Sequence, residues 1–126
     1  MRTNPAMPYT AGAAVAPRRI VKFGAADGVV VQSAAATDLS IGVSDSLGAA
    51  AAGDGCEVYT SGQGVEIDVG GNITRGQKIV ADANGKAVAA APAQGANVQI
   101  VGFANASYVA GDIGEFHLAP SVMQGA

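Results

Sequence analysis

The sequence holds no tryptophan, one histidine, one cysteine and three leucines, and tyrosine and phenylalanine number three each among its 126 residues. Each shortage excludes something. With so few rings there is little to stack on a sugar, and too little bulk to line an ordinary small-molecule pocket. A lone Cys56 rules out an internal disulfide and any thiolate cluster for zinc or iron–sulfur. The lone His117, in Phe116-His117-Leu118, would have to be the base of any catalytic triad. No Gly-x-Ser-x-Gly elbow accompanies it, so it reads as a structural or surface residue. No apolar run approaches the ~20 residues of a membrane helix. Pro5, Pro8, Gly12 and Pro17 break the N-terminal stretch that a signal peptide would keep apolar, so the expectation is a protein soluble where it is made, with no membrane partner.

Charge is scarce and uneven. The net is −3, but residues 1 to 26 carry Arg2, Arg18, Arg19 and Lys22 with no acid. The remainder sets ten acids against Arg75, Lys78 and Lys86. Such an acidic body repels phosphate backbones, and four basic residues are a poor footprint for nucleic acid.

What the chain does have is valine and isoleucine, 22 together, a β-branched bias that fits strands and disfavours a helical bundle. The expected class is all-β, a compact barrel or sandwich of short strands. Nine runs bounded by Gly, Asn, Asp or Pro read as strands: Arg18 to Phe23, Gly28 to Gln32, Leu39 to Val43, Cys56 to Thr60, Val65 to Val69, Lys78 to Ala81, Lys86 to Ala90, Val98 to Ala104 and Gly114 to Leu118. Asp27-Gly28 and Asn84-Gly85 mark hairpin tips. Val65-Glu66-Ile67-Asp68-Val69 alternates strictly, with the aliphatics inward and the carboxylates outward. Ala49 to Ala52, caught between Gly48 and Gly53, keeps at most one helical turn.

Laid on itself at an offset of about 60 residues, the chain matches in order and spacing. Val21 to Gly28 answers Ile79 to Gly85, Ile41-Gly42-Val43 answers Val101-Gly102-Phe103, and Ala52-Gly53-Asp54 answers Ala110-Gly111-Asp112. This predicts a domain over 18–126 built from two halves, about 18–60 and 78–118, linked by Ser61 to Gln77. Residues 1–17 carry three of the five prolines and read as an extended N-terminal arm.

The chemistry-bearing residues are mostly of structural kinds. Cys56 has no cation beside it in sequence to lower its pKa and reads as a small buried hydrophobe. Gly62-Gln63-Gly64 lacks the third glycine and the helix of a dinucleotide site, and is taken as a hairpin loop. Asn72-Ile73-Thr74 and Asn105-Ala106-Ser107 match the glycosylation pattern by chance. One constellation stands out. If Cys56–Thr60 pairs with Val65–Val69, Tyr59 faces Glu66 and Glu57 faces Asp68, giving an acidic outer patch. Solvent or a partner would neutralise it; a calcium loop and a glycosidase cleft are both lacking. The partner reading sends Arg18 and Arg19 of one subunit to the acidic face of the next. Interface candidates are therefore Arg2, Arg18, Arg19, Lys22, Glu57, Glu66 and Asp68, with no catalytic, cofactor or metal residue.

Asp27-Gly28, Ile41-Gly42-Val43 with the alanine loop and Gly53-Asp54, Cys56-Glu57-Val58-Tyr59-Thr60-Ser61-Gly62, Gly76-Gln77-Lys78-Ile79-Val80, Val101-Gly102-Phe103-Ala104 and Ala110-Gly111-Asp112 together resemble small bacteriophage capsid cement, or head decoration, proteins. The resemblance spans roughly residues 18 to 118 and implies a homotrimeric β-barrel without enzyme activity or cofactor. It implies the major capsid protein as partner, and a place on the outer capsid surface of the virion after assembly in the host cytoplasm. Such a protein clamps the junctions between capsid subunits. The alternatives are another phage barrel, of the tail or of head completion, and a small ligand- or carbohydrate-binding β module.

Overall fold

The computed structural model describes residues 6–125 as ten strands, with no helix among them. They are β1 (Ala6–Ala11), β2 (Ile20–Phe23), β3 (Val29–Gln32), β4 (Ser40–Ser44), β5 (Gly55–Tyr59), β6 (Gly62–Asp68), β7 (Lys78–Ala81), β8 (Ala87–Ala89), β9 (Asn97–Ala104) and β10 (Ile113–Gln124). All nine expected strands are present, seven of them within two residues of the expected bounds; β6 starts three residues before Val65, and β10 runs six residues past Leu118. The tips form as read: Gly28 and Gly85 adopt φ of 75° and 72°, which any Cβ would disfavour. Ala49 makes an isolated bridge to Val15, and no helical turn forms over Ala49 to Ala52.

Five strands close a barrel in the order β1-β3-β2-β4-β5, and the others form a sheet in the order β6-β10-β9-β7-β8. Read from their hairpins, the two run alike: β3-β2-β4-β5-β1 and β8-β7-β9-β10-β6. The loop hydrogen bonds follow the same plan. Ala11 N–H donates to Asp54 O at 2.8 Å and Val69 N–H to Asp112 O at 2.9 Å; Gly53 N–H donates to Ala11 O at 2.8 Å and Gly111 N–H to Val69 O at 2.9 Å. Reciprocal pairs tie Val15 to Ala49 and Ile73 to Tyr108. Asp54 and Asp112 each accept from the N–H three residues earlier, at Ala51 and Val109.

Two expectations change. The segment read as an arm supplies β1 from Ala6 on, antiparallel to β5 through Ala6↔Tyr59 to Thr10↔Gly55 and parallel to β3 at Thr10↔Val29 and Ala11↔Val30. The segment read as a link, Ser61 to Gln77, holds β6, and Gly62 to Gly64 are its first residues, not a hairpin loop. Consequently β5 does not pair with β6. It lies between β1 and β4, while β6 pairs with β10.

Two main cores result. Inside the barrel, Ala11, Val15, Val21, Val30, Ala49, Cys56 and Val58 pack together, with Tyr9 and Ile41 at the margin. The second cluster is larger: Ile67, Ile73, Ile79, Val101, Phe116 and Leu118 are joined by Ile20 and Val43 from barrel strands, so it also glues the halves. Val80, Val98 and Ile100 form a third cluster, with Val88, Ala90 and Met123 packed against it. The buried hydroxyls of Ser33 and Ser40 bond to each other at 2.8 Å, as buried polar groups require.

Candidate interaction surfaces

Where the halves meet, charge is spent internally. Arg18 Nε donates to Asp68 Oδ1 at 2.9 Å and Arg19 Nε to Asp68 Oδ2 at 3.3 Å. Both guanidinium groups and the carboxylate are largely shielded from water. Arg18 also bonds through its backbone, donating N–H to Asp45 O and accepting Asp68 N–H, each at 3.0 Å. Its φ of 56° is the one positive value at a non-glycine among the described residues, a conformation costing about 1–3 kcal/mol that surrounding bonds must hold. Next to it the β7–β8 tip is bonded to the barrel. Asn84 O accepts from Arg19 Nη1 at 2.9 Å and Gln32 Nε2 at 2.8 Å, and Gly85 O accepts Ile20 N–H at 2.8 Å.

The structure thus brings Arg18, Arg19 and Asp68 together within one chain. Lys22 Nζ meets Asp38 Oδ1 at 3.1 Å. The Asp38 carboxyl is held below its ordinary pKa by the Ala34 N–H above all, against an opposing push from burial and with help from Lys22. Glu57 faces Pro8 across β5–β1, Asp68 faces Ile113, and Tyr59 faces Ala6 and Val43. The expected three-acid patch is therefore not assembled, because its strands are not neighbours. Arg2 lies outside the described residues. The acids that do oppose each other are Glu66 and Glu115, across β6–β10, both exposed. Sequence reading missed that pair because β6 takes its partner from the far end of the chain.

Two further surfaces stand out. A cleft of about 210 Å³ opens at the seam, lined by Arg18, Ser44, Asp45, Tyr59, Val65 and Glu66. At one mouth of the barrel, Tyr9 and Phe23 meet edge to face at 6.2 Å, with Phe23 57% and Met7 50% exposed. Large apolar side chains left in water at one place mark contact surfaces.

Against this geometry, the family model for phage cement proteins matches residues 1–118. The chain belongs to the phage cement protein family. No curated protein matches it. Among solved structures, the head fiber gp8.5 N base of bacteriophage phi29 superposes with a TM-score of 0.66 at 17% identity, covering 94% of this chain and 95% of that one. At that identity the likeness is one of fold. In this phage structural protein, two further side chains singled out in the sequence can be placed, Cys56 and His117. Cys56 is buried within the barrel, and burial first, then Asp45 and Glu57, raises its thiol pKa, the opposite of an activated cysteine. His117 stacks on Phe103 at 4.9 Å with planes 11° apart, on strands where Lys78, Phe103 and His117 stand opposite in turn.

Proposed function

We propose that this chain is a capsid cement protein that binds the outside of a phage head where major capsid subunits meet and reinforces the shell, acting as a homotrimer and not as an enzyme. The match of the cement family over residues 1–118 carries this reading. Physical features support it. A small domain with a modest interior gains by burying further apolar surface against neighbours. Three linked copies would turn the second and third contacts into intramolecular ones, so avidity compensates for weak single sites. Interface candidates now sort by availability: Arg18, Arg19 and Asp68 are occupied with each other, whereas Glu57 and Glu66 are exposed to a partner.

The test is to add the purified chain to heads of its own phage prepared without it. Electron microscopy should show density on the outer surface between capsomers, and the decorated heads should survive heating that opens bare ones. Unchanged heads would sink the proposal. A second reading, a base for a head-attached fibre, is favoured by the fold shared with the phi29 head fiber base. It predicts density only where a fibre projects.

A further inference from the structure

The seam cleft is bordered by a strand edge whose backbone is unfinished. Asp68 N–H turns away from β10 and donates to Arg18 O at 3.0 Å. Register is unbroken from Ile113↔Asp68 to Glu115↔Glu66. Because antiparallel residues alternate between bonding one neighbour and the other, Glu66 N–H and C=O point to the same side as Asp68 N–H, into the cleft. No strand pairs with β6 there, and no loop bond reaches Glu66 among the described residues. Arg18 supplies one rung of a ladder and the next is vacant.

Other stretches that outrun their neighbours are treated differently. Thr10 N–H reaches Gly28 O on the β3 side, so the same alternation aims the nitrogen of Pro8 past the start of β3. Pro120 sits in the irregular stretch between Leu118 and Ser121, beyond Leu118, where the pairing with β6 ends. A proline at such a position removes the donor that an incoming strand would use. At Glu66 the β6 edge carries no such block.

We infer that this cleft receives an extended segment of a capsid subunit, which adds to β6 as a strand through Glu66 and carries a basic side chain; the inference rests on the cement reading above. The occupant's charge follows from the cleft. Arg18 and Arg19 share the single carboxylate of Asp68 and leave one positive charge at the seam, while Asp45 and Glu66 line the cleft and Glu115 stands beside Glu66, so acids are in excess. Glu66 and Glu115 make no ion pair among the described residues. Main-chain bonds would give affinity and the acid–base contact would set register.

The test uses heads of the encoding phage prepared without this protein, with co-sedimentation and hydrogen exchange read together. The amide of Glu66 should exchange more slowly on bound protein than on free protein. Glu66→Pro and Glu66→Lys should each weaken binding at least about tenfold, while Glu66→Gln should lose less. Melting curves matching the wild type certify that each variant is folded. Should Glu66→Pro not fold, Glu66→Lys and wild-type exchange decide. Binding with protection confined to Met7, Tyr9 and Phe23, or unchanged affinity of a folded Glu66→Lys, would overturn the inference and leave the cement reading standing. Failure of the wild-type chain to bind any head would overturn both.

Discussion

The two halves follow one connectivity and finish it differently. In the first, β1 lies along β3 and closes the barrel, through Thr10↔Val29, Ala11↔Val30 and a Gly12 N–H to Val30 O bond. In the second, the corresponding closure shrinks to one bridge, Val69↔Ala87, and Gly70 N–H to Ala87 O. Their interiors differ in the opposite sense. The barrel encloses alanines, valines and Cys56, whereas the open sheet wraps Phe116 and several isoleucines. A narrow ring can complete its backbone bonding around little bulk. A wider interior needs large side chains to exclude water, and these keep the sheet from closing.

The sharpest way to break this comparison is Phe116→Ala. Phe116 is fully buried, and its loss should cost about 3–5 kcal/mol by urea titration. Val58→Ala inside the barrel should cost clearly less, and equal costs would mean that bulk does not distinguish the halves. Next come the hairpin tips. Gly28→Ala meets open space and carries only the cost of its φ, about 1–2 kcal/mol. Gly85→Ala should lose more, because its Cβ would also press on Gln32, Ser33 O and Ile20 O. Similar losses would show that the β7–β8 tip is not held tightly against the barrel.

Smaller still is Asp68→Asn, which leaves two guanidinium groups at the seam without their anion. Partial exposure discounts the loss to about 1 kcal/mol, and raised salt should shrink it further. The smallest effect concerns the barrel alone. Because folding lowers the Asp38 pKa, its contribution is whole above the ordinary carboxyl range and fades as pH falls below about 4. Asp38→Asn should therefore flatten the acid limb of a stability–pH curve; an unaltered limb would dismiss the Ala34 and Lys22 contacts as a source of stability.

Much of the fold was legible because it is local. Valine runs and Asp-Gly or Asn-Gly tips define the hairpins, and the burial of Val65, Ile67 and Val69 with Glu66 exposed follows from period-two patterning. β1 was hidden, since Ala6 to Ala11 has no alternating aliphatics and contains Pro8. It becomes a strand only because β5 offers an edge and the proline nitrogen faces outward. The acidic site failed for a related reason. A short glycine loop between Cys56–Thr60 and Val65–Val69 looks like a hairpin, but Glu66 and Asp68 find their neighbours near residue 115, and pairing over such a separation leaves no mark on adjacent residues. The internal pairing of Arg18 and Arg19 with Asp68 was unreadable for the same reason.

That β1 is fastened chiefly to β5, and β6 to β10, also sets the order in which a ribosome can finish the molecule. Each half opens with a strand that must wait for the last one of its own half to emerge, so neither can be secured piecemeal. Long-range closure of this kind slows folding. It also leaves each half unfinished until late in synthesis: a nascent chain halted before residue 55 would hold β1 by β3 alone, and one halted before residue 113 would leave β6 without β10.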